Sequence, residues 1–152
     1  MENITEINDR HIKFEEFDTS KNWIADFPYE SWCLIIIAEQ ENRKYFDEII
    51  RKALDRNVGY IIGVGKQHEL IHNMADDEIV IREVENLYLP KHVILTVGEE
   101  DFENGIWDGI FASYNEEAGG IKELVILDVT KKAFEKTVSL LKKIETGYIP
   151  KD

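Results

Sequence analysis

A single cysteine, Cys33, stands in the 152-residue chain, so no intramolecular disulfide can staple the fold. Prolines number only three, too few for a Pro-rich linker or a polyproline segment, and no low-complexity tract or internal repeat appears. The longest apolar stretch, Trp32–Ala38, is far short of the ~20 residues that a membrane span needs. The opening MENITEINDR has neither the basic stretch nor the apolar run of a secretory signal, which gives the expectation of a cytoplasmic protein. Basic residues are scarce as well, with 18 Lys and Arg against 31 Asp and Glu and a net charge of −13. Such a field repels phosphate backbones, so nucleic acid is not an expected direct ligand; with no span, a membrane is not an expected partner either.

What remains is core-forming material: 43% hydrophobic and 11% aromatic residues, enough for one packed domain. Four short apolar runs carry it, Trp32–Ala38, Gly59–Val64, His92–Val97 and Glu123–Val129. Each is rich in β-branched residues and nearly continuous, the pattern of parallel strands buried on both faces. Between them lie stretches with helical spacing. Asn42–Asn57 places Tyr45, Phe46, Ile49, Ile50, Ala53 and Leu54 on one face; Gln67–Asn86 reads as a second helical region, with Asp76-Asp77 and Ile79-Val80-Ile81 as candidate breakpoints. Asn104–Ala118 aligns Ile106, Trp107, Ile110, Phe111 and Tyr114, and Thr130–Glu145 aligns Ala133, Phe134, Val138, Leu141 and Ile144. The expected fold is α/β: a single three-layer α/β/α domain over residues 32–152, Rossmann-like or flavodoxin-like, with a mainly parallel sheet of at least four strands. Residues 1–31 are expected to wrap the core as an N-terminal arm, or to add an edge strand around Ile12–Phe17.

The acidic excess is uneven. Residues 1–31 hold eight acidic side chains against three basic ones, and residues 99–122 hold seven against one. Loops that follow parallel strands gather on the carboxyl edge of the sheet, where ligands usually bind. That edge is expected to carry Glu39, Glu41, Glu99, Glu100, Asp101 and Asp128 as an acidic rim.

Several motifs could carry chemistry. His68-Glu69-Leu70-Ile71-His72 reads H-E-x-x-H: on a helix the two histidines project from one face toward a Zn²⁺, and Glu69 can act as general base. The flanks Gly65, Leu70 and Met74 resemble zinc metalloproteases of the zincin type over about ten residues. The extended pattern fails, since Ala75 replaces its glycine and Glu78 its third histidine; Glu78, Glu83, Glu85 or a rim carboxylate would have to complete the site. The alternative is that His68, Glu69 and His72 are solvated positions on the first turns of a surface helix. Gly63-Val64-Gly65-Lys66 could expose N–H groups to a phosphate, yet it lacks the third glycine of a dinucleotide fingerprint and the Ser/Thr of a P-loop, and a tight strand-to-helix turn is the better explanation. Asp76-Asp77-Glu78 and Glu99-Glu100-Asp101 have oxygen ligands for Mg²⁺ or Ca²⁺, although charge runs are usually solvated. Cys33 sits in an apolar strand, where a thiol is inert, and Ser31, Ser113 and Ser139 lack a nucleophile-elbow setting. Of the aromatic stripe, Phe111 is assigned to the core, while Trp107 and Tyr114 are open to core or partner.

WCLIIIA, NVGYIIGVG with downstream His72 and Asp76, and HVILTVGEEDFENGIWDGIFASY together resemble an uncharacterised set of small bacterial α/β proteins over residues 32–128, with Gly59, Tyr60, Gly65, Thr96 and Trp107 as markers. In type, a small acidic chain with no complete catalytic set also resembles immunity proteins of contact-dependent growth-inhibition toxin systems. That resemblance implies a protein that binds a basic toxin domain and blocks it, with Glu99, Glu100, Asp101, Glu103, Asp108, Glu116 and Glu117 as the expected partner-binding residues. No enzyme activity and no cofactor are expected on this reading; a zinc-dependent hydrolase, with His68 and His72 as ligands and Glu69 as base, is the alternative.

Overall fold

A computed structural model describes residues 1–151. Its centre is a six-stranded mixed sheet in the order β1-β2-β6-β3-β4-β5. The strands are β1 (Glu2–Ile7), β2 (Arg10–Glu16), β3 (Trp32–Ile37), β4 (Tyr60–Val64), β5 (Leu95–Glu99) and β6 (Glu123–Asp128). All neighbours run parallel except β1, which pairs antiparallel with β2. Every residue of β3 is buried, as expected of a strand covered on both faces.

Residues 1–31 contribute two strands rather than one. Asn8 and Asp9 both hold positive φ, 54° and 59°, the backbone that a tight two-residue hairpin requires and that Asn and Asp tolerate. The hairpin lays β2 against β6, so the stretch around Ile12–Phe17 is one place in from the edge, with β1 outside it. The remaining N-terminal aromatics follow as a chain of ring contacts, Phe17–Trp23, Trp23–Phe27 and Phe27–Trp32, with centroids 5.4–5.8 Å apart.

Helix α1 (Arg43–Asp55) starts where Asn42 accepts from Lys44 N–H at 2.9 Å, and Asn57, at φ 60°, turns the chain away after its end. Helix α2 (His68–Val84) runs unbroken through both candidate breakpoints. Buried Arg82 explains the continuity. It bonds Glu78 one turn back at 2.9 Å and Asp55 of α1 at 2.7 Å, tying the helices together through the stretch where β-branched residues weaken helix propensity. Helices α1 and α2 supply one apolar cluster, with Phe46, Ile49, Ile71 and Ala75 against Leu34, Ile36, Ile61 and Val125. The opposite sheet face, Cys33, Ile35, Ile62 and Ile126, packs on α3 (Phe102–Trp107) and α4 (Phe134–Glu145) through Ile106, Leu140 and Leu141.

The helix expected over 104–118 is much shorter. After α3 the chain makes one π turn, Asp108–Ala112, closed by Ser113 N–H donating to Asp108 O at 2.8 Å. Arg10, buried under it, donates to Gly109 O at 2.5 Å and to Ser113 Oγ at 2.7 Å, and it also bonds Ser113 O. The inserted residue rotates the stripe, so Phe111 is not core. It is 41% exposed and Tyr114 65% exposed, while Trp107 is half-buried with its ring 5.0 Å from that of Phe111. Among the described residues no helix is long and apolar enough to cross a membrane.

Candidate functional site

Two clefts flank β5, the strand at one end of the sheet. The first, about 710 Å³, is lined by Glu99, Glu100, Asp101, Asn104 and Asp108. Local bonding explains why four carboxylates tolerate one another there. Asp101 caps α3 by accepting from Asn104 N–H at 2.9 Å, where the helix N-terminus favours negative charge. Glu99 accepts from Asp101 N–H at 2.9 Å. Asp108 lies about two turns farther along the chain, and its carboxyl is held above the ordinary aspartate value, first by partial burial and then by the charge of Glu99. Among the described residues none of these four carboxylates has a Lys or Arg nitrogen within 4.0 Å; every ion pair lies elsewhere.

The raised Asp108 value predicts a pH-dependent effect. A carboxyl with a raised folded value favours folding when protonated, and that contribution is lost as pH rises through the folded value. Asp108→Asn should therefore stabilise the protein at pH 7, by no more than about 1 kcal/mol because the group is only half-buried and solvent screens it, and the gain should vanish below about pH 4. Urea titrations of both proteins at the two pH values check this; equal stability at pH 7 would contradict it.

The expected partner-binding set is not one patch. Glu103 sits on α3 and accepts from the Tyr148 hydroxyl, which pushes the Tyr148 phenol above its usual range. Glu116 and Glu117 lie at the opposite, amino edge of the sheet. Their loop is pinned there by Asn115 Nδ2 donating to Gly59 O at 2.9 Å and Val93 O at 2.7 Å, and Glu117 accepts from Val93 N–H at 2.9 Å. Asp128 leaves the rim altogether. It is fully buried and accepts from Thr130 N–H, Thr130 Oγ, Lys131 N–H and Ala133 N–H at 2.6–3.2 Å, organising the entry to α4. Glu39 and Glu41 are at the carboxyl end of β3, with Glu39 Oε2 3.4 Å from Lys66 N. Gly65 is required there, since its φ is 104° and a Cβ would come 2.2 Å from Ala38 O. The glycine-lysine turn therefore meets a carboxylate where a phosphate would have to sit.

The second cleft, about 450 Å³, is lined by His68, Glu69, His72, Thr96, Val97 and Gly98. His68 Nδ1 lies 2.8 Å from Gly65 O and donates to it. Thr96 donates to Asp76 Oδ1 at 2.5 Å and so accepts from His72 Nδ1–H at 3.0 Å. The two imidazoles thus share one cleft with exposed Glu69, each with Nδ1 engaged. No third ligand joins them from the expected carboxylates. Glu78 is spent on Arg82, and Glu83 and Glu85 lie three turns or more beyond His72, about 16–20 Å along the axis of α2. Among the described residues no group of three or more His, Cys, Asp or Glu is placed to hold a metal ion. Thr96 lines this cleft and Asp76 backs it through the Thr96 hydroxyl; in the sequence His72, Asp76 and Thr96 are marked by the resemblance to small bacterial α/β proteins, and His72 and Asp76 also by their helical i, i+4 spacing. Cys33 is fully buried and its thiol is pushed up to about 12 by burial.

Fold and clefts together define an α/β protein with a mostly parallel sheet and, at one sheet edge, a carboxylate cluster that has no Lys or Arg partner among the described residues. The chain belongs to the family described as a domain of unknown function (DUF7684), whose model matches residues 10–144. No curated protein and no solved structure matches it.

Proposed function

We propose that the chain is an acidic cytoplasmic binding protein that neutralises a basic protein partner, with a bacterial toxin domain as the specific case and the chain as its immunity protein. The observation that carries this reading is the cleft of Glu99, Glu100, Asp101 and Asp108, four carboxylates with no Lys or Arg partner within the described residues of a protein of net charge −13. Their mutual repulsion is relieved when a partner supplies the missing cations, and the same field accelerates encounter. The finer reading of the fold, a three-layer Rossmann-like or flavodoxin-like arrangement, is supported by the separate apolar clusters on the two sheet faces, and in such folds the carboxyl edge is the ligand edge.

The test uses the basic protein encoded beside this chain's gene, since an immunity protein is expected to be encoded next to its toxin. The two should form a complex whose association slows steeply with salt, and Glu99→Lys with Asp101→Lys should weaken it by about a hundredfold. Absence of a complex, or an affinity unchanged in the double variant, would remove the proposal.

A further inference from the structure

We infer that the partner is held by strand addition: an extended basic segment of the partner pairs with the free edge of β5 and sets its cationic side chains over the carboxylate cleft. This rests on the binding reading above and specifies its mode. In the sheet order β5 is terminal, and its outer edge is covered by no other strand of the described residues. Leu95 N–H donates to Gly59 O at 3.2 Å and Glu99 O accepts from Gly65 N–H at 3.1 Å. Leu95, Val97 and Glu99 therefore bond inward to β4, and the N–H and C=O of Thr96 and Gly98 point outward along a regular parallel strand.

The other sheet edge is different. Strand β1 breaks register between Asn3 and Thr5, an irregularity of the kind that blunts an exposed edge. No such break protects β5, all five residues of which are only half-buried. The two clefts lie on either side of this strand. Glu99 contributes to the carboxylate cleft, whereas Thr96 faces α2 and the His68–His72 cleft. Side chains of an added strand alternate between the two faces, so every second residue would lie over Glu99, Asp101 and Asp108. Charge selects the occupant. A second copy of this chain would bring a like cluster of carboxylates to the same edge, whereas a lysine- or arginine-bearing strand neutralises it.

The experiment uses the full chain and two probes: a short peptide of alternating lysine and valine, and the same peptide methylated at every backbone nitrogen. The charges are identical, but only the first can pair with a strand edge. At low salt the unmodified peptide should bind, slow the amide exchange of Thr96 and Gly98 by about tenfold or more, and bind at least about tenfold more tightly than the methylated one. Equal binding of the two peptides, or protection that spares Thr96 and Gly98, overturns strand addition while leaving the charge-based reading intact. If neither peptide binds at low salt, both fall.

Discussion

Replacing Arg10 by methionine is expected to lower the unfolding free energy by about 3 kcal/mol, or roughly 8 °C in midpoint for a protein of this size. Two effects oppose each other. Burial of the guanidinium is unfavourable and depresses its pKa, so its removal recovers some desolvation free energy. Against this, methionine leaves Ser113 O without its donor and strips Gly109 O and Ser113 Oγ of theirs. Ser113 Oγ–H still reaches Gly109 O at 2.7 Å, so only part of the network survives. Hydrogen bonds from a charged donor contribute about 1.5–3 kcal/mol each and a buried unpaired acceptor costs about 1–3, so the loss dominates. Amide exchange should speed first across 108–113, because the Arg10 side chain is what ties the π turn to β2. A variant as stable as the parent would show that the turn is held by packing of Gly109 on Ile35 and Leu124 alone.

Asp128→Ala should cost about 4 kcal/mol. One fully buried carboxylate satisfies three backbone N–H groups and one hydroxyl, and it fixes the stretch in which Lys131 adopts φ 62°. Alanine orphans all four donors at once. Asp128→Asn keeps one acceptor oxygen but turns an NH₂ toward a donor, so it should cost about half as much. Urea unfolding distinguishes the three proteins; a loss under about 1 kcal/mol for alanine would mean that solvent reaches the loop and takes the carboxylate's place.

Both residues mark where sequence reading stopped. Strands β3, β4 and β6 lie within a residue of their apolar runs because continuous burial on two faces leaves a strong pattern. Strand β5 begins three residues later than its run and extends through Gly98 and Glu99, residues with poor strand propensity. His92 is drawn out of the strand instead, its Nε2 2.9 Å from Val58 O. Helix α1 was legible from its apolar stripe to within two residues at either end, and α2 in its extent. The helix after β5 was not, since a π turn leaves no periodic signal and depends on Arg10, nearly a hundred residues away. The acidic cluster Glu99–Asp101 could be read from composition, whereas the placement of Glu116 and Glu117 at the other end of the sheet depends on the bonds of Asn115. Asp128 looked like a rim residue because burial of a polar strand end is set by the loop that follows it.

That separation of two acidic pairs allows a direct test of the central claim. Glu99→Lys with Asp101→Lys changes the net charge of the protein by the same amount as Glu116→Lys with Glu117→Lys, but at opposite ends of the sheet. The measurement is the equilibrium affinity of each double variant, and of the parent, for the basic partner at fixed salt. A loss confined to the Glu99/Asp101 pair, with the Glu116/Glu117 pair within a few-fold of the parent, is the predicted result. Equal losses from the two pairs would mean that total charge, and not the cleft at β5, attracts the partner, and would contradict the account.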